Sequence, residues 1–199
     1  MSGVPPAVSG VRVLALAAIG VAFVRSPAYL AETIADAVDA KLLEVRDERR
    51  FWRGVQHAYE LRDRELPELQ ARVARKYCRN LEVWGALPEL HTQFRLALVY
   101  SGPGVILDCW RREYGIESQF DLVVEAALHG LLPRDTALYE LVAREAGVPA
   151  ERCATVESTL AGFDAATTAG MHAYRFGTVY GLRRWLKSLG TADPPAQMR

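Results

Sequence analysis

Glu157 closes the apolar run Cys153-Ala154-Thr155-Val156 and is followed by Ser158 and Thr159. A carboxylate at such a strand end suits either of two jobs, proton transfer as a base or structural hydrogen bonding beside a helix start. Arg134, next to Pro133, offers a cation to a developing anion if its long side chain turns inward, and is otherwise a solvated surface arginine. Ser101 lies outside any Gly-x-Ser-x-Gly arrangement, so a serine hydrolase is not supported. Gly102-Pro103-Gly104 lacks the lysine of a phosphate-binding loop and reads as a turn. His57, His91, His129 and His172 show no HxxxH or HExxH spacing, and surface or packing roles are expected for them.

Composition excludes several partners. The 199 residues carry 24 basic and 24 acidic side chains, a formal charge of zero, so bulk electrostatics recruits neither nucleic acid nor an anionic membrane. Half of the residues are hydrophobic, enough for a substantial core in one domain with an insertion. The apolar stretch from Val11 to Val24 is too short for a membrane span and has no basic region ahead of it, so it reads as core and not as a signal peptide. Cys78, Cys109 and Cys153 are an odd, widely spaced set, which argues against a disulfide framework or zinc site and for a reducing, cytoplasmic setting.

The elements that must position these groups alternate. Val11–Val21 begins as an unpunctuated, β-branched run and ends at Gly20, the pattern of a central strand buried on both faces. Ser26-Pro27 reads as a helix start, with Leu30, Ile34 and Val38 as one stripe. Further helical patterns carry Phe51, Trp52, Val55 and Tyr59, and then Leu69, Val73 and Tyr77. Residues 26–90 are therefore expected to be a helical unit. Its aromatics Trp52, Tyr59, Tyr77 and Trp84 serve its own core or, on a sharper reading, a pocket or partner face. From Phe94 strands and helices alternate: Phe94–Tyr100, a helix near 105–114 capped by Gly115, Phe120–Val124, a helix from Asp135, Cys153–Val156, Met171–Phe176, and a last helix with Val179, Leu182, Leu186 and Leu189 inward. Asp193-Pro194-Pro195-Ala196 reads as a frayed tail. Alternation of this kind predicts an α/β fold with a doubly wound parallel sheet.

The strand ending at Gly20, together with Tyr114-Gly115-Ile116, Phe120-Asp121, Gly130, Asp135, Tyr139-Glu140-Leu141, Gly147-Val148-Pro149 and Gly170-Met171, resembles the haloacid dehalogenase (HAD) superfamily over roughly Val11 to Leu189. The resemblance implies a Rossmannoid core, residues 1–25 and 91–199, with a helical cap, residues 26–90, inserted after the first strand. It places Ala17 at the nucleophilic aspartate and Ile19 at the acid/base aspartate. It places Tyr100, with Ser101 next in line, at the hydroxyl that binds the transferred group, and Pro133 at the lysine. Glu157 and Ser158 take the place of the magnesium-binding aspartates. A methyl group cannot attack carbon or phosphorus, and one carboxylate is a poor magnesium site.

Losses at all these positions imply that the ancestral reaction is abandoned, with no cofactor or metal to hold. Three functions are then expected. One is a catalytically silent subunit that binds and stabilises a protein partner, such as a HAD-like paralogue, in a heteromeric complex of bacterial specialised metabolism. Another is a repurposed non-hydrolytic reaction, such as aziridine ring closure with loss of sulfate, using Tyr100, Ser101, Arg134 and Glu157. The third is a small-molecule binding module using the vacated crevice.

Overall fold

The computed structural model describes residues 10–190; Met1–Ser9 and the tail that includes Asp193-Pro194-Pro195-Ala196 lie outside the described residues. The first strand, β1 (Val13–Ala17), is paired in parallel on both sides, with β4 (Arg95–Tyr100) and β6 (Cys153–Glu157). With β5 (Leu122–Glu125) and β7 (His172–Arg175) they form a five-stranded parallel sheet of order β5-β4-β1-β6-β7, which puts β1 at its centre. Gly20 has φ +87°, so the chain turns there as its residue type requires.

Strand parity divides the core into two faces. Val13, Ala15, Ala97 and Val99 pack against α6 (Thr136–Ala146) and α7 (Leu160–Thr168). Leu14, Leu16, Leu96, Leu98 and Tyr100 pack against α4 (Leu81–His91), α5 (Gly104–Tyr114) and α8 (Val179–Gly190). Gly115 and Gly147, with φ of +62° and +68°, end α5 and α6 as left-handed caps.

The insertion leaves and re-enters through a two-stranded antiparallel ribbon, β2 (Phe23–Arg25) against β3 (Tyr77–Arg79). It contains α1 (Thr33–Asp39), a short 3-10 turn at Leu42–Glu44, α2 (Glu48–Ala58) and α3 (Glu65–Ala74). Two expectations are corrected here. Ser26 does not start a helix; its hydroxyl accepts from Ala28 N–H in a turn, α1 begins seven residues later, and Leu30 is 84% exposed. Tyr77 belongs to β3 and not to a helical stripe. α4 packs on the sheet side, with β4 and α8.

The inserted helices share one continuous core with the sheet. Leu69, Val73 and Ala74 of α3 belong to the same buried cluster as Leu98, Ile106 and Trp110, and the Trp110 indole donates to Ala74 C=O at 3.0 Å. Phe23 stacks on Trp110 with ring centroids 4.4 Å apart. Trp52 and Trp84 are buried in that core, as their helical spacing suggested, and the Trp84 indole donates to Ala22 C=O.

The loop after β4 is as tightly packed. The Tyr100 ring lies edge-on to Trp110 at 5.4 Å, and a Cβ on Gly102 would overlap its hydroxyl. Gly102→Ala is therefore expected to cost about 2–3 kcal/mol, because a fully buried ring has nowhere to move. Tyr100→Phe should instead gain about 1 kcal/mol, since the hydroxyl is buried without a hydrogen-bond partner among the described residues. Denaturant midpoints of the two variants check both signs.

Candidate functional site

The C-terminal ends of β1, β4 and β6 meet at one point, as they must in an open parallel sheet. Around it lie Ala17, Ile19, Tyr100, Ser101, Pro133, Glu157 and Ser158, all positions singled out from the sequence. Arg134 is not among the residues lining this point; it is exposed and does not turn inward. A proline beside it fixes the backbone, and water solvates a guanidinium more cheaply than this apolar wall can.

The space between these residues is a cavity of about 20 Å³. That is room for about one water molecule. Its walls are completed by residues that sequence reasoning did not place there: Leu138 and Tyr139 from α6, and Leu43 from the 3-10 turn of the insertion. The Tyr100 ring turns to the α5 face of the sheet, and Ser101 follows it at the cavity, 7% exposed.

Glu157 is 3% exposed, and burial pushes its carboxyl up to about 7, with the Ser158 backbone N–H holding it back. The Tyr139 hydroxyl beside it donates to Pro133 C=O at 3.0 Å. Both groups crowd Gly162 of α7, where a Cβ would come within 2.5 Å of Glu157 Oε2 and 2.9 Å of Tyr139 Oη. Ser158 Oγ donates to Ile19 C=O at 2.9 Å, and its Cβ would lie 2.5 Å from one on Gly20. Thr159 caps α7 through Gly162 N–H. The hydroxyls of Tyr139, Ser158 and Thr159 are thus committed to partners within the fold, and the Ser158 bond ties the end of β6 to the end of β1.

This donor set does not fit magnesium. The cation needs several oxygen ligands, whereas Ala17 and Ile19 supply only side-chain carbon and Glu157 favours its neutral form. Among the described residues, no three His, Cys, Asp or Glu side chains lie close enough to hold a metal ion. His91 and His172 instead hydrogen-bond the backbone carbonyls of Gln119 and Glu151.

Two side chains clasp the insertion onto the core above the cavity. Glu48 of α2, capped by its neighbour Asp47, accepts from Gly104 N–H at 2.8 Å and Val105 N–H at 3.1 Å, and takes the Trp52 indole at 3.2 Å. It thereby satisfies free N–H groups at the start of α5 and places a carboxylate at the positive end of that helix. Arg46 donates to Gly130 C=O at 2.5 Å and pairs with Asp135 at 3.0 Å. Neither contact was visible in the sequence, since each joins segments more than fifty residues apart.

A five-stranded parallel sheet with β1 at its centre, helices on both faces and a helical insertion after β1 is the fold of the HAD-like superfamily. Solved structures of that class superpose over most of the chain. A HAD family enzyme of Bacteroides thetaiotaomicron, in complex with magnesium and inorganic phosphate, matches with a TM-score of 0.69 and 10% identity over 85% of this chain and 96% of its own. A HAD-like family hydrolase of Porphyromonas gingivalis matches at 0.69 and 15%, over 90% and 99%. The L-2-haloacid dehalogenase of Xanthobacter autotrophicus, with chloropropionic acid covalently bound, matches at 0.63 and 18%, over 92% and 85%. No family model and no curated protein sequence matches the chain. No described helix is long and apolar enough to cross a membrane.

Proposed function

We propose that this chain is a HAD-fold subunit that does not perform the family's covalent chemistry and works by binding and stabilising a protein partner, a HAD-like paralogue being the natural candidate. The observation that carries this reading is the closed crevice. Ala17 stands where the resemblance puts the nucleophile, Pro133 where it puts the lysine, and Leu43 helps close a space of about 20 Å³. A phosphate ester or haloacid has no room there, and the clasps of Glu48 and Arg46 keep the insertion seated.

The test is co-expression of the tagged chain with the products of its neighbouring genes, any HAD-like one among them first, followed by light scattering. A stoichiometric complex is the expected result, with no magnesium-dependent turnover of p-nitrophenyl phosphate by this chain alone. A solitary monomer in every pairing overturns the proposal.

A further inference from the structure

Apart from the crevice, a groove of about 540 Å³ lies on the insertion, across the Leu42–Glu44 turn from it. That volume is within the range of small-molecule sites, about 300–1,000 Å³. Its floor is apolar, made by Val38 of α1 with Phe51 and Val55 of α2 and Tyr59 just after it.

The charges at its rim are unequal in their commitments. Asp47 is occupied as the N-cap of α2, and Arg46 by Asp135. Lys41 and Arg50 have no ion-pair partner among the described residues, and stand against one uncommitted carboxylate, Glu44.

Gly54 supplies an independent observation. It sits in the interior of α2, exposed on the groove, where a glycine costs about 1 kcal/mol relative to alanine. No close packing explains it, because a Cβ there would meet nothing within 4 Å. A longer side chain at this position would project into the groove.

From the apolar floor, the two unpaired cations and the space kept open by Gly54, we infer that the groove binds a small amphipathic carboxylate, with its hydrocarbon body on Phe51, Val55 and Tyr59 and its anionic head between Lys41 and Arg50. The site is separate from the crevice and does not depend on the reading given above for it.

Calorimetric titration with decanoate, decanol and decyltrimethylammonium, all below micellar concentration, tests the assignment. The expected result is saturable one-to-one binding, with decanoate about five- to tenfold tighter than decanol and the cationic amphiphile weakest. Lys41→Gln with Arg50→Gln should bring decanoate to the level of decanol. Gly54→Phe should weaken both at least about tenfold while the unfolding midpoint stays level or rises, because a helix-interior glycine has been removed. Absence of saturable decanoate binding, or binding that survives Gly54→Phe, overturns the inference. So does a dimer or a partner-protein complex that Gly54→Phe dissociates, which would assign the groove to protein contact.

Discussion

Glu157→Gln is expected to stabilise the protein by about 3 kcal/mol at pH 8 but only about 1 kcal/mol at pH 5, a gain that grows with pH. The carboxyl titrates near its ordinary 4.5 in the unfolded chain and near about 7 when buried in the fold. Below both values each state holds the proton and the group contributes nothing. Between them the unfolded chain gives up its proton while the native chain keeps it, so native stability falls as pH rises. Above about 7 the native carboxylate is ionised inside an apolar wall and the penalty is complete. Glutamine keeps the shape and hydrogen-bonding capacity of the neutral acid and removes the titration. For a domain of this size the pH 8 gain corresponds to a melting temperature about 6–12 °C higher. Scanning calorimetry of both proteins at the two pH values measures it; an equal difference at both would contradict the buried, neutral acid.

Lys76→Met should cost about 2–3 kcal/mol, less than for a fully buried ion pair because the carboxylates it leaves keep some contact with water. The Lys76 side chain is 1% exposed, with its ammonium 2.5 Å from Asp36 and 2.7 Å from Asp39, over the Tyr29 ring. The Tyr77 hydroxyl donates to Asp39 at 2.6 Å, so one cation serves a network that ties α1 to the end of α3 and the start of β3. Hydrogen bonding to Lys76 also lowers the Asp36 carboxyl below its ordinary range. In Lys76→Met that carboxyl should titrate closer to normal by NMR, while Arg25 at 2.8 Å still moderates it. The double variant Lys76→Met with Asp39→Asn should regain more than half of the loss in urea denaturation, since it no longer leaves the more buried acid unpaired. A single-variant loss under about 1 kcal/mol would show the network to be solvated and dispensable.

How far the sequence could be read follows from the range of the interactions involved. β1, Gly20, Gly115 and Gly147 were legible because a buried central strand and left-handed turns impose local requirements on residue type. The meeting of the strand ends at Ala17, Tyr100 and Glu157 was legible too, because strand ends in this topology converge whatever side chains they carry. Ser26-Pro27 misled because a local helix-start signal lost to the ribbon geometry of β2 and β3, which carries the chain past it before α1 begins. Leu43, Glu48 and Tyr139 were missed as site residues for a different reason. Each acts only through a partner distant in sequence or brought close by the fold, and no periodicity encodes that meeting.

The crevice also sets what a single substitution at its walls can do. It is lined from several directions, so one codon does not open it. An aspartate at position 17 would place a second acid beside Glu157, with Pro133 supplying no cation and Leu43 still across the opening. Two carboxyls in a space for about one water molecule would share a proton rather than ionise together.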